Sequence, residues 1–286
     1  GGDAASAAAG DQQEGPDPAI ITSDAFVSLM DLFSGARKTD VSRRMLEGFV
    51  KAGKPTSDPV LVHTLMDMAR ALHDGLDRSS PAPELAHASF LCGRLVELTD
   101  FGRDLERQLA LLTEARQSFR LLEGAKRRVC LAGLRLTRRA LRLVKGRHGT
   151  RTAPFMRACF AFMHITTPGL ASARQRLNIY CAAAESALCN DCAPQADALL
   201  AAAVAEVSSV AAPPSADDRE LDTKGETYAE EAVRRVAGSL VMAPGHPEAG
   251  PFHHIRSLAE QVRLLPWDPL SSARVRCLMA IANVLG

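Results

Sequence analysis

Amphipathic helical segments, separated by short breaks, follow one another along almost the whole chain. In one of them, apolar side chains recur with the period of about 3.6 residues that places them on one helix face: Val62, Leu65, Met66, Ala69 and Leu72. No segment shows the apolar–polar alternation that predicts a β-strand. Hydrophobic residues make up 47% of the chain but aromatic residues only 5%. The sequence therefore predicts an all-α protein whose helices pack through Leu and Ala side chains.

Glycine, proline and capping residues mark where these helices begin and end. Asp58 followed by Pro59 is typical of a helix start, and Gly53 followed by Pro55 is typical of a helix end. Read in this way, the sequence predicts helices at 20–33, 40–52, 59–76, 84–98, 103–122, 125–145, 151–166, 169–190, 193–209, 226–242, 249–265 and 270–285.

Pairs of these helices recur at a spacing of about 40–47 residues, which is the period of HEAT and armadillo arrays. We therefore expect a HEAT-like α-solenoid of roughly six antiparallel helix pairs over residues 19–286. Residues 1–18 are rich in Gly, Ala, Gln, Asp and Pro and are predicted to be disordered, and 211–226 is predicted to be a flexible loop. Because the sequence does not begin with Met, we expect it to be part of a longer protein.

Positive charge is concentrated between Arg116 and Arg151, where twelve Lys or Arg residues accompany a single acid, Glu123. On the predicted helix 125–145 the cations share one arc and the apolar residues fill the rest. The net charge of the whole chain is only +1, so this pattern favours a plain solvated helix face. Contact with an acidic protein segment, and a module that binds RNA or acidic lipid through the Arg127–Arg151 face, remain as alternatives.

A basic turn follows this helix. Lys145-Gly146 is typical of a helix end, and Thr150 or Thr152 is placed to cap the next helix. No GxxxxGK[ST] or GxGxxG motif that would cradle a phosphate is present in the sequence. The sequence therefore predicts a junction between two packed helices.

Residues that could carry chemistry are scattered. The seven cysteines are odd in number and lie mostly among apolar residues, as expected of reduced thiols in a cytosolic protein. Cys189 and Cys192 form one CxxC, but no second CxxC supplies the further ligands that zinc requires, and His253-His254 is distant in sequence. No HExxH or GxSxG motif is found. We predict that the chain is not an enzyme and binds no metal or cofactor.

Short stretches, found in one order from about residue 26 to residue 286, resemble the large solenoid subunits of retriever and retromer, in the vacuolar-protein-sorting family. They are FGRDLERQLALLTEARQSFRLLEG at 101–124, TSDPV at 56–60, KGRH at 145–148, ITTP at 165–168, RLNIY at 176–180, HPEAG at 246–250, and Trp267. Cys189 and the segment 211–226 depart from the pattern. The resemblance implies the C-terminal half of a HEAT-like subunit without enzymatic activity.

The resemblance also implies partners and a place in the cell. The concave face would hold the small phosphoesterase-fold subunit shared with retromer, and an arrestin-like subunit would bind upstream of this sequence. A sorting-nexin adaptor and the coiled-coil/copper-metabolism-domain complex would complete an assembly that recycles cargo from endosomes to the plasma membrane. The protein would then be cytoplasmic, endosome-associated and peripheral to the membrane, with no nucleic-acid partner.

Partner contacts are expected where Arg or aromatic side chains lie at helix faces and turns, because these side chains often dominate binding energy. The predicted contact residues are Arg103, Arg135, Arg142, Arg147, Arg151, His246 and Trp267. For Trp267, which follows Pro266, packing between helices is the competing interpretation.

Overall fold

The structure, a computed structural model, describes residues 18–211, 225–243, 245, 250–265, 267 and 271–285. Over these residues it is helical, without any β-strand, and the all-α, solenoid-like prediction is confirmed. The helices are α1 (Pro18–Ile21), α2 (Asp24–Asp31), α3 (Gly35–Ala52), α4 (Pro59–Asp74), α5 (Ala82–Leu98), α6 (Leu105–Ser118), α7 (Glu123–Leu143), α8 (Thr152–Thr166), α9 (Ala173–Cys189), α10 (Ala193–Ala211), α11 (Gly225–Leu240), α12 (His253–Leu264) and α13 (Ala273–Ala282). They form two compact units, which divide after Gly102.

The first unit contains α1 to α5. Helix α3 packs against α4 and α5, and its buried side chains meet theirs in a core that includes Leu46, Leu65 and Leu95. A single β-bridge fastens this core at one end, since Thr56 donates its N–H to the carbonyl of Leu98 and accepts the N–H of Asp100, both at 2.9 Å. This bridge ties the start of α4 to the end of α5.

The second unit contains α6 to α13, each packed against its neighbours in the chain and often against the next helix but one. The most extensive contact joins α9 to α10. The largest fully buried side chains of this unit include Leu112, Phe119, Phe160 and Met163. None of the helices within the described ranges is long and apolar enough to cross a membrane.

Two helix boundaries near the start of the chain were predicted wrongly. The segment 20–33 is two helices, because the Ser23 hydroxyl accepts the N–H of Phe26 at 3.3 Å and starts a new helix there. Helix α3 begins at Gly35, five residues before the predicted start at Asp40. The predicted cap at Asp58 is confirmed, since its carboxylate accepts the N–H of Val60 at 2.9 Å.

Two sequence predictions concern parts of the chain that the structure does not describe. Nearly all of the N-terminal segment 1–18 and most of the loop 211–226 lie outside the described residues, so their predicted flexibility stays a prediction. The predicted contact residue His246 also lies outside the described residues, so its role stays a prediction. The prediction of one solenoid domain over 19–286 also stays a prediction.

Truncation of a core leucine tests the packing of the second unit. Leu112 in α6 has no exposed surface, so we expect Leu112→Ala to lower the free energy of unfolding by about 3–5 kcal/mol, through lost burial and the cavity left behind. The matched control is Leu143→Ala, because Leu143 is 48% exposed; its cost should stay below about 1 kcal/mol. Urea unfolding followed by circular dichroism measures both, and equal costs would contradict the packing described.

Candidate protein interface

Six arginines form a stripe along one side of α7. At about 100° per residue they fall within about a third of the helix circumference. The other side is apolar and buried, with Val129, Leu136 and Ala140 facing the core. Burial of that side leaves the charged side outermost. We call these residues the basic stripe: Arg127, Arg128, Arg135, Arg138, Arg139 and Arg142.

Two arginines of the basic stripe, Arg127 and Arg142, have no carboxylate partner among the described residues. Glu123, the one acid on α7, pairs instead with Lys126 at 2.8 Å and accepts the N–H of Ala171 at 2.7 Å. Like charges three and four residues apart repel one another on a helix, so the stripe destabilises α7 by a few tenths of a kcal/mol per pair.

The turn after α7 extends this positive surface. Lys145 and Gly146 adopt positive φ values of 52° and 77°, and the Gly146 N–H closes the helix by bonding to the carbonyl of Leu141 at 3.1 Å. His148 fixes the turn from the other side, because its Nε2 lies 2.9 Å from Oδ1 of Asn190 at the end of α9. We call residues 145–151 the junction loop; the predicted helix junction is confirmed.

The junction loop presents Arg147 and Arg151 to solvent. Arg151 stands at the N-cap of α8 and makes no side-chain cap. The cap predicted from Thr150 or Thr152 is therefore wrong, because Thr152 is already helical and its hydroxyl accepts the N–H of Gly149 at 2.8 Å. The Thr152 hydroxyl therefore stabilises the junction loop and does not cap α8.

The seven predicted contact residues do not form one cluster. Arg135 and Arg142 lie two turns apart on the basic stripe, and Arg147 and Arg151 follow in the junction loop. Arg103 is exposed in the turn before α6. Trp267 follows α12 and is half-buried; its indole N–H donates to the carbonyl of Val262 at 2.6 Å, which anchors the ring to that helix. His246 lies outside the described residues.

Ion pairs between helices are a feature that the sequence analysis missed. Arg176 on α9 donates two hydrogen bonds of 2.8 Å to the carboxylate of Glu206 on α10. These bonds raise the pKa of the Arg176 guanidinium. Arg174 on α9 likewise holds Glu231 on α11 at 2.6 and 2.8 Å while its guanidinium lies over the ring of Tyr228. The partners are 30 and 57 residues apart, so local spacing carries no signal of them.

A further pair lies between α9 and α11. Burial would raise the pKa of Glu185, but hydrogen bonds from the Arg235 guanidinium and the Ser239 hydroxyl outweigh burial and lower that pKa below its ordinary value of 4.5. The carboxylate is therefore held in its charged form. Together with the pairs of Arg174 and Arg176, it joins three successive helices.

Three of the buried cysteines are neutral thiols. Burial raises the pKa of Cys92, Cys130 and Cys159 to about 12, so all three are neutral thiols at physiological pH. Within the CxxC, Cys189 is exposed and Cys192 is buried. No group of three or more His, Cys, Asp or Glu side chains within the described part of the chain is placed to hold a metal ion.

Helix α13 leaves an apolar face uncovered. Ala273, Cys277 and Ile281 point into the core, whereas Val275 and Met279 remain 58% and 60% exposed. With Leu278, these exposed side chains lie three and four residues apart and so share one side of the helix. We call Val275, Leu278 and Met279 the α13 face.

The first unit carries an open groove of about 1360 Å³ among α2 to α5. Acidic, basic and apolar side chains alternate along it, for example Asp67, Arg70 and Met68. Some of its ionic groups pair with each other, as Arg70 does with Asp67 at 2.6 Å. The groove therefore has no single charge that would select a ligand.

The helices stack through their apolar sides, and this arrangement is an α-solenoid. Proteins of this class present extended surfaces to other proteins. The sequence model of the family described as VPS35L C-terminal domain matches residues 18–286. The chain belongs to this family, and the resemblance noted in the sequence is confirmed.

Individual relatives agree with the family match. The chain is 33% identical over 255 residues to a "VPS35 endosomal protein sorting factor-like" protein of Dictyostelium discoideum, covering 89% of this chain and 26% of that protein. It is 29% identical over 268 residues to the human protein of similar name, covering 93% of this chain and 28% of the relative. The Drosophila melanogaster relative is 26% identical over 239 residues, or 83% of this chain and 24% of the relative. The chain thus spans about a quarter of the length of these relatives.

The pH dependence of stability tests the Glu185–Arg235 pair. Because the folded pKa of Glu185 is lowered, its stabilising effect is present above pH 4.5 and disappears as the pH falls through the lowered value. We expect Glu185→Gln to destabilise the protein by about 1 kcal/mol at neutral pH and by progressively less in acid.

Urea unfolding at several pH values measures this difference. Glu260→Gln is the control, since Glu260 pairs loosely with Arg263 at 3.6 Å and is well exposed; its effect should be small at every pH. A loss in Glu185→Gln that is the same at neutral and acid pH would show that the carboxylate does not stabilise the fold through its charge.

Proposed function

We propose that the chain is a non-catalytic scaffold subunit of a retriever- or retromer-like complex that recycles cargo from endosomes to the plasma membrane. The observation that carries the proposal is the family match over residues 18–286, joined to relatives named as endosomal protein-sorting factors. The neutral, buried thiols and the stacked helices support a role in binding rather than in catalysis. Such a protein would act in the cytoplasm, at the surface of endosomes.

The main partner in this proposal is the small phosphoesterase-fold subunit shared with retromer. The α13 face is the surface that we assign to it, because exposed Leu and Met side chains clustered on one helix are suited to fill pockets of a partner. Trp267 would stand beside this contact as an anchored aromatic after α12. The arrestin-like subunit, the sorting-nexin adaptor and the coiled-coil/copper-metabolism-domain complex would bind elsewhere in the full subunit.

Co-purification tests this assignment. We expect the tagged chain to retain the small phosphoesterase-fold subunit. The double variant Leu278→Glu/Met279→Glu should retain at least about tenfold less of that subunit, because two charges would have to be buried in an apolar contact. The amount of subunit bound is measured on beads at matched protein concentration.

The matched control is Leu29→Glu/Leu32→Glu, which places the same charges at exposed positions in and just after α2, in the first unit. It should retain the subunit fully. If the unaltered chain never captures the subunit, the scaffold proposal fails; if both double variants capture it equally, only the assignment to the α13 face fails.

A further inference from the structure

We propose that the basic stripe and the junction loop form a docking surface for a short Asp/Glu-rich protein segment. The first support is the charge itself. Six arginines on one third of the circumference of α7, together with Lys145, Arg147 and Arg151, place nine cations between residues 127 and 151, although the whole chain has a net charge of only +1. Concentration of one sign on one face attracts and orients an oppositely charged partner.

The second support is the contrast with other arginines of the same unit. Arg174, Arg176 and Arg235 each hold a carboxylate on a neighbouring helix, and so contribute to the stability of the fold. Arg127 and Arg142 lie on the same unit but pair with no carboxylate in the described ranges. An acidic segment laid along the stripe would supply carboxylates to these two arginines and relieve the repulsion between the like charges of the stripe.

The chemistry and shape of the surface indicate what kind of anion fits. Eight of the nine cations are Arg, apart from Lys145, and a planar guanidinium binds a carboxylate through two parallel hydrogen bonds. From Arg127 to Arg142 the stripe is about 22 Å long, at about 1.5 Å per residue. An extended peptide of about seven residues has this length. The surface is thus a narrow line of charge, matched to a linear segment.

Two other anionic partners fit the surface less well. A membrane-bound amphipathic helix inserts its apolar side into the lipid, but in α7 that side, including Val129 and Leu136, is buried in the protein core. Proteins that bind single-stranded RNA stack bases on aromatic side chains, and residues 123–154 contain no Phe, Tyr or Trp. Lipid vesicles and RNA are therefore titrated beside the acidic peptide as competing ligands.

The test is a binding titration on the whole chain. A fluorescein-labelled peptide of about ten alternating Asp and Glu residues is followed by anisotropy, beside a peptide in which Asn and Gln replace them. We expect the acidic peptide to bind at low salt and the neutral peptide not to bind. Arg127→Gln/Arg142→Gln should weaken binding about tenfold, because two charge-assisted contacts are lost. The substituted side chains are exposed, so the thermal transition should be unchanged or raised.

The control variant is Arg256→Gln/Arg263→Gln, which removes the same charge from exposed positions of α12 in the same unit. It should change the affinity by less than about twofold. Vesicles containing phosphatidylserine, and poly(U) RNA, are titrated in parallel. The proposal is overturned if the acidic peptide does not bind, if both double variants weaken it equally, or if vesicles or RNA bind more tightly through the same arginines. Capture of the small phosphoesterase-fold subunit is measured separately and does not depend on this result.

Discussion

The need to bury helices on more than one side governs the second unit. In α9, Leu177 and Ile179 point in nearly opposite directions and are both buried, because α10 covers one side while α7 and α11 approach from others. A single neighbouring helix cannot bury the whole apolar surface of such a helix. The helix must therefore pack between two or more neighbours, and the same requirement applies to each of them. Stacking along the chain therefore follows from the width of the apolar surface on each helix.

Charged side chains take two different roles around this apolar framework. Arginines such as Arg176 and Arg235 reach across to Glu206 and Glu185, and these half-buried pairs fasten one helix to another with defined geometry. The arginines of the basic stripe point away from the core instead. Because the apolar side of α7 is packed against the core, its charged side faces outward. On α13 the apolar residues are divided between a buried side and the exposed α13 face.

The sequence predicted the features that local periodicity and turn chemistry determine. The helix class, the start of α4 at Asp58 and the end of α7 near Lys145 all depend on residues within a turn or two of each other. The break at Ser23 was missed, because the polar residues Thr22, Ser23 and Asp24 fit the exposed side of one continuous helix as well as a cap between two. The contact of Arg174 with Glu231 and Tyr228 depends on which helices meet in space, and no spacing along the chain records it. The basic stripe was visible as a pattern, but only the structure shows which carboxylates are already engaged.

Hydrogen exchange followed by mass spectrometry tests the central claim, that each helix is held by its immediate neighbours. Leu258 in α12 has no exposed surface, and α12 packs on α10, α11 and α13. The account predicts that Leu258→Ala speeds amide exchange in α10 to α13 and leaves α6 to α8 as protected as before. A uniform rise in exchange throughout α6 to α13 would contradict it, since the unit would then unfold as one cooperative core.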